Sequence, residues 1–163
     1  MNHKLRSLLP VASVIAALLA GCGGAAQGGT GQLARAELIA KANPICKRTI
    51  KRLLEVEKTL AKASTAGPPL QALAATAPGL SASQSQAVSQ LRQLTPPASL
   101  AGDWRSLLAG LQELADDTAR IGAAAKQKNE KAMESIVRTG NATRKRLLAI
   151  GARDGLGPCG HAN

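Results

Sequence analysis

Residues 33 to 64 read LARAELIAKANPICKRTIKRLLEVEKTLAKAS, and apolar residues recur in this stretch every three or four positions. That spacing places them on one side of an α-helix, which has about 3.6 residues per turn. The apolar positions are Leu38, Ile39, Ala42, Ile45, Cys46, Ile50, Leu53, Val56 and Leu60. We therefore predict an amphipathic first helix whose buried side carries Cys46.

The Asn43-Pro44 pair allows two interpretations of where this helix begins. Proline lacks the amide hydrogen that an interior helical turn donates. Pro44 either kinks one continuous helix or follows an N-cap at Asn43. In the second case residues 33 to 42 form a separate short segment.

Prolines divide the following part of the chain into helical segments. Residues 67 to 69, Gly-Pro-Pro, end the first helix and begin a second one over residues 70 to 94, which Pro78 kinks or breaks. Residues 95 to 97, Thr-Pro-Pro, form the next turn, and a third amphipathic helix follows it. Its apolar positions are Leu100, Trp104, Leu107, Leu108, Leu111, Leu114, Ala115 and Ile121.

A fourth helix is predicted to begin with Asn129 as its N-cap and to end at Gly155. Its apolar positions are Met133, Ile136, Val137, Leu147, Leu148 and Ile150. The alternative is one helix over residues 103 to 154, but a helix about 78 Å long could not bury its apolar side on shorter partners. Since no stretch has the alternating pattern of a strand, we predict an all-α, antiparallel up-down four-helix bundle over residues 33 to 163.

The N-terminal region has the layout of an export signal. Lys4 and Arg6 precede an apolar stretch over residues 8 to 20, which is shorter than the about 20 residues that span a bilayer. Residues 19 to 22, Leu-Ala-Gly-Cys, then resemble the lipobox of bacterial lipoproteins, whose cysteine is linked to diacylglycerol before the signal is cleaved. The resemblance implies that Cys22 is the lipidated residue.

This resemblance also implies a division of the chain and a location. Residues 1 to 21 would be a cleaved lipoprotein signal peptide, and residues 22 to 32 would be the lipidated Cys22, carrying acyl groups such as palmitate, with a flexible glycine-rich tether. The domain would then be anchored at the extracytoplasmic face of a cell membrane. The alternatives are an ordinary cleaved signal, or a Cys22 that is only a small apolar residue.

Cys46 and Cys159 are the cysteines that remain once Cys22 is assigned to the lipid. Export would place both in an oxidising compartment, where an even pair forms a disulfide. In an antiparallel bundle the last helix ends near the start of the first, which brings the two cysteines within reach of each other. Two buried free thiols are the alternative.

Three short motifs carry a second resemblance. They are ANPIC at residues 42 to 46, LTPP at residues 94 to 97 before a helix with an early aromatic residue, and GLGPCG at residues 155 to 160. Through these motifs residues 35 to 160 resemble uncharacterised small helical lipoproteins of high-GC bacteria. The resemblance implies a helical fold and the cysteine pairing, and it implies no activity.

The chain is strongly basic, with 21 lysines and arginines, 10 acidic residues and a formal net charge of +11. Removal of Lys4 and Arg6 with the signal would leave +9. Four lysines fall opposite the apolar side of the first helix: Lys47, Lys51, Lys58 and Lys62. We expect these lysines to bind an anionic lipid surface or a cell-wall polymer. The alternative is that they form a solvated face that only aids solubility. Because Trp104 is the only aromatic residue available for base stacking, we expect no nucleic-acid partner.

The sequence has no recognisable catalytic or metal-binding motif. His161 is the only histidine after the signal and lies near the end of the chain. Glu113, Asp116 and Asp117 are expected on a solvated helix face, with Asp116 spaced to pair with Arg120, and divalent-metal binding is the alternative. We therefore expect no enzyme activity and no cofactor. The predicted function is a non-enzymatic interaction or scaffolding role at the cell envelope, with binding of a small hydrophobic ligand as the alternative.

Overall fold

The computed structural model describes residues 31 to 66 and 69 to 161. They form four long helices that pack against one another and a short final helix, with a 3-10 turn at Ala98–Leu100. The helices are α1 (Arg35–Ala66), α2 (Pro69–Arg92), α3 (Ala101–Lys126), α4 (Glu130–Asp154) and α5 (Gly157–Gly160). These described residues contain no strand, which confirms the all-α class for them. The predicted signal, Cys22 and the tether as far as residue 30 lie outside the described residues.

Helices α1 and α2 both continue through a proline, so neither predicted interruption divides them. Pro44 lies inside α1 and Pro78 lies inside α2. Both prolines are exposed, and water can bind a carbonyl that an exposed proline leaves without a donor. Asn43 is therefore not an N-cap, and its Nδ2 instead donates a hydrogen bond to the carbonyl of Gly155 at 3.3 Å.

The predicted break between α3 and α4 is confirmed. The side chain of Asn129 caps α4 by accepting a hydrogen bond from the amide of Ala132 at 3.1 Å. Lys128, just before the cap, has the positive φ of 55° that turns the chain. At the other end, Gly155 closes α4 in the left-handed conformation with φ 78°, which is also as predicted.

The four long helices bury one continuous apolar core. Trp104 is buried in it, as its spacing predicted. The fully buried large side chains of this core are Leu38, Cys46, Val88, Leu91, Leu107, Leu147, Leu156 and Cys159. Every long helix contributes to this core, because each presents its apolar residues along one side.

Contacts between specific residues fix how neighbouring helices pair. The hydroxyl of Ser81 in α2 donates to the carbonyl of Ala115 in α3 at 2.8 Å. Gly110 in α3 lies against the side chain of Leu147 in α4. Before α1 begins, the amide of Leu33 donates to the carbonyl of Thr95 at 2.9 Å. Helix α1 packs along α2 and against α5, whereas it makes no extended backbone contact with α4.

The short helix α5 was not predicted, and it holds the end of the chain against α1. Cys159 in α5 forms a disulfide with Cys46 in α1, which confirms the predicted pairing. Both cysteines are buried, and Gly160 packs directly on the backbone of Leu147. The disulfide and this close packing join α1, α4 and α5 at one end of the molecule.

An ion pair joins the start of α3 to the end of α4. The guanidinium of Arg153 pairs with Asp103, and its Nε donates to Asp154 at 3.3 Å. The hydrogen bond to Asp103 and the negative charge of that carboxylate raise the pKa of Arg153 above its ordinary value. Arg35 of α1 donates to the carbonyl of Arg153 at 3.1 Å, so the same residue also contacts the first helix.

Candidate interaction surface

The packing of α1 determines which of its sides faces solvent. Leu38, Ala42 and Cys46 are buried, and Val56 continues the buried side toward the C-terminal end of the helix. The disulfide fixes the rotation of α1 about its own axis, because the side chain of Cys46 must point at α5. The side opposite these residues is therefore held outward.

The four lysines predicted as a basic face lie on this outward side. Lys47, Lys51, Lys58 and Lys62 are all exposed. At 1.5 Å per residue, the row from the first to the last lysine is about 22 Å long. Among the described residues, none of the four forms an ion pair. We call these four residues the lysine row.

The arginines of α1 are directed away from the lysine row. Arg48 donates to the side chain of Gln90 in α2 at 3.0 Å. Arg52 pairs with Glu55 at 3.3 Å, within α1 itself. Both of these arginines therefore contact neighbouring side chains of the domain. The four lysines thus differ from these arginines in making neither an ion pair nor a side-chain hydrogen bond with a described residue.

Helix α4 carries the second group of basic side chains. Arg146 pairs with Glu113 of α3 at 3.2 Å, so its charge is partly compensated. Arg138 and Lys145 are exposed, and neither forms an ion pair with a described residue. Arg144 is half-buried, donates to Asn141 at 3.3 Å, and has a buried Nε without a hydrogen-bond partner in the described part of the chain.

Three large apolar side chains are exposed in the part of the chain that the structure describes. They are Leu54 at 49%, Val137 at 42% and Leu148 at 39%. Val137 and Leu148 were counted among the apolar positions of the fourth helix, but they lie beside its buried stripe rather than in it. The sequence could have predicted this exposure, because consecutive residues of a helix point in different directions. Val137 directly follows the buried Ile136, and Leu148 directly follows the buried Leu147.

A small cavity lies between α1, α2 and α3 beside the disulfide. Cys46, Thr49 and Gln84 line it together with apolar side chains, and its volume is about 10 Å³. That is room for about one water molecule, whereas ligand pockets have volumes of about 300 to 1,000 Å³. Gln84 is buried and its Oε1 has no hydrogen-bond partner among the described residues. This cavity gives no support to the carriage of a hydrophobic ligand.

The acidic cluster of α3 differs from the prediction. Asp117 is buried and pairs with Arg120 at 3.0 Å, so it does not lie on a solvated face. Asp116, which was expected to pair with Arg120, accepts a hydrogen bond from Gln112 at 2.9 Å instead. Because Gly140 has no side chain, α4 can lie close to Asp117. No group of three or more potential metal ligands occurs within residues 31 to 66 and 69 to 161.

Comparison of the chain with protein families, with curated proteins and with solved structures finds no match. None of the helices that the structure describes is long and apolar enough to cross a membrane.

Proposed function

We propose that this chain is an extracytoplasmic lipoprotein, acylated at Cys22, whose helical domain binds an anionic surface of the cell envelope through the lysine row. The role is one of interaction or scaffolding, without catalysis. The lipid keeps the domain close to the membrane, and the lysine row determines which side of the domain faces the anionic surface. The residues on which the anchoring depends, 19 to 22, lie outside the described part of the chain.

The exposure of the lysine row is the observation that carries this proposal. Lys47 and Lys51 are four residues apart, as are Lys58 and Lys62, and like charges at that spacing destabilise a helix by about 0.2 to 0.5 kcal/mol per pair. No described carboxylate forms an ion pair with any of the four. An anionic surface would remove the repulsion and contribute about 1 kcal/mol per lysine brought near it.

We also propose that the four long helices have antiparallel up-down topology. Pairs of contacts along two neighbouring helices support it. The amide of Leu33, just before α1, donates to the carbonyl of Thr95, whereas a Cβ atom at Gly79 would lie 3.9 Å from Nη2 of Arg52, further along α1. Along α3 the contacts with α2 run from Ala115 with Ser81 to Gly122 with Ala77. In both pairs one residue number rises while the other falls.

Sedimentation with vesicles tests the role of the lysine row. A soluble form beginning at residue 24 should sediment with vesicles that contain phosphatidylglycerol and not with vesicles of phosphatidylcholine. Changing all four lysines to glutamine should abolish this binding, because about 1 kcal/mol per lysine corresponds to a loss of about 700-fold in affinity. Measuring the binding of the wild type and of the four-lysine variant to purified cell-wall polymer then shows whether the anionic partner is lipid or polymer.

A second variant separates the position of the charges from their number. Changing Arg92, Lys126, Lys128 and Lys131 to glutamine also removes four positive charges, but from exposed positions outside α1. This control should retain most of the binding. Equal losses in the two variants, or binding that does not weaken with added salt, would show that the lysine row is only a solvated face.

Metabolic labelling tests the anchor. Cells that express the chain and receive an alkyne fatty acid should incorporate the label into the wild-type protein, and Cys22→Ala should abolish the incorporation. The variant should also leave the membrane fraction. Label retained on the Cys22→Ala protein would contradict acylation at this residue.

A further inference from the structure

The disulfide between Cys46 and Cys159 is closed off from solvent. The two cysteines are 1% and 0% exposed. The cavity that Cys46 lines has a volume of about 10 Å³, which is room for about one water molecule. A reductant must bring a thiolate into contact with one of the two sulfurs, so the rate of reduction depends on access. A thiol reductant is larger than water and therefore does not reach either sulfur in the folded structure.

Helix α5 carries Cys159 and is the shortest of the helices around the disulfide. It has four residues, Gly157–Gly160, and packs on α4 and α1. Its backbone hydrogen bonds are mostly local, such as that from the amide of Cys159 to the carbonyl of Leu156 at 2.8 Å. The amide of Leu156 donates to the carbonyl of Gly151 in α4 at 2.9 Å. No ion pair among the described residues involves residues 156 to 161.

Close packing of backbone on backbone holds α5 against α4. A Cβ atom at Gly160 would lie 2.8 Å from the carbonyl oxygen of Leu147 and 3.2 Å from the Cα of Leu148. A Cβ atom at Gly151 in α4 would lie 3.1 Å from the Cα of Gly160. The side chain of Leu156, just before α5, is buried in the common core. Helix α5 is thus held by its shape and by burial, and not by charge.

Residues 156 to 161 can detach while the rest of the bundle stays packed. A short segment near the end of a chain opens more readily than core helices, because fewer contacts must break. Detachment costs the packing of Leu156 and Gly160, whereas the contacts among the four long helices remain. It also uncovers the sulfur of Cys159, which α5 itself carries.

We propose that α5 is a cover that protects the disulfide from thiol reductants, and that the bridge is reduced through local detachment of α5 and not through unfolding of the bundle. In the detached state a thiolate of a dithiol reductant bonds to one sulfur while the S–S bond breaks, and the other cysteine leaves as a thiolate. The second thiolate of the reductant then displaces the first cysteine. The reductant becomes a cyclic disulfide, and Cys46 and Cys159 take protons from water. This inference depends neither on the lipid anchor nor on the lysine row.

The rate at which dithiothreitol reduces the full chain tests the inference. Samples are alkylated at successive times, and mass spectrometry of their peptides counts the modified Cys46 and Cys159. The wild type should be reduced at least about tenfold more slowly in buffer than in concentrated urea, because the closed state excludes the reductant. Equal rates in the two conditions overturn the inference, since the sulfurs are then accessible in the folded protein.

Two glycine variants distinguish detachment of α5 from unfolding of the bundle. Gly160→Ala places a methyl group against the carbonyl of Leu147 and should speed reduction in buffer by about tenfold or more. Gly122→Ala creates the same kind of clash, 2.7 Å from the Cβ of Ala77, but between α3 and α2. It should leave the rate close to that of the wild type. If Gly122→Ala speeds reduction as much as Gly160→Ala does, or if Gly160→Ala does not speed it, the inference is overturned.

A leucine pair gives the same comparison without a clash, in case Gly160→Ala prevents the bridge from forming. Leu156→Ala removes buried contacts from the segment that detaches and should also speed reduction. Leu80→Ala removes a buried leucine of α2 and should leave the rate near that of the wild type. Circular dichroism shows whether each variant is folded before the reductant is added. Equal acceleration by the two leucine variants means that the bridge is reduced through the unfolded bundle, which contradicts the role of α5 as a cover.

Discussion

Gly122 lies where α3 approaches α2 closely. A Cβ atom at this position would lie 2.7 Å from the Cβ of Ala77, so an alanine forces the two helices apart. We predict that Gly122→Ala lowers the free energy of unfolding by about 1 to 3 kcal/mol, as overpacking of a core contact does. Urea denaturation followed by circular dichroism measures the change.

Gly102 supplies a matched control in the same helix. A Cβ atom there meets nothing within 4 Å, and the position is exposed in the first turn of α3. Gly102→Ala should raise the free energy of unfolding by up to about 1 kcal/mol, because alanine loses less backbone entropy than glycine in a helix. Equal stability of the two variants would contradict a close contact at Gly122.

Individual residues differ in how well the sequence predicts their environment. Trp104 and Cys46 have helical spacing relative to other apolar residues, and the structure buries both. Glycine has no side chain to take part in such a pattern, so the contact of Gly122 with α2 could not be predicted. Gln84 and Asp117 are buried although they are polar, since their burial depends on tertiary packing and not on residue type.

At the scale of the helices, Asn129 determines where α4 begins. Its side-chain oxygen accepts a hydrogen bond from an amide of the first turn, which otherwise has no partner within the helix. We predict that Asn129→Ala lowers the free energy of unfolding by about 1 kcal/mol, measured by thermal or urea denaturation.

Asn129→Asp is the control for this prediction, because aspartate caps helices about as well as asparagine and its charge also interacts favourably with the helix N-terminus. It should retain the stability of the wild type. If Asp and Ala at position 129 destabilise the protein equally, the side-chain cap does not contribute and the break between α3 and α4 has another cause.

The helix boundaries show what local signals can and cannot predict. Asn129 and Gly155 act within one turn of the chain, and both ends of α4 are where these residues predict them. Pro44 and Pro78 do not end a helix, so of the two predicted alternatives at each proline the break is wrong; packing and exposure decide whether a helix tolerates a proline. The short α5 could not be predicted from local signals, because it is held by a disulfide to Cys46, which is 113 residues away in sequence.

For the whole molecule, the disulfide is the main covalent constraint. It joins cysteines 113 residues apart, so its loss frees a long loop in the unfolded chain. Reduction should lower the free energy of unfolding by about 4 to 5 kcal/mol. Thermal denaturation with and without a reductant measures this, and helix content at low temperature should change little, because helical hydrogen bonds are local.

A double variant is the control for the effect of the reductant. Cys46→Ala combined with Cys159→Ala cannot form the bridge, so adding the reductant should not change its melting temperature. If the wild type also melts at the same temperature in both conditions, the pair is not bridged in the purified protein or the bridge does not stabilise it.

Reduction of the disulfide should loosen α1 more than α3. Helix α1 is held by α2 and by α5, and its attachment to α5 includes the bridge itself. Helix α3 packs along both α2 and α4 and does not depend on the cysteines. Reduction should therefore speed amide hydrogen exchange much more in residues 47 to 60 than in residues 107 to 121. Hydrogen exchange read by mass spectrometry on the oxidised and reduced protein makes this comparison, and an equal increase in both segments would mean that the bundle opens as one unit.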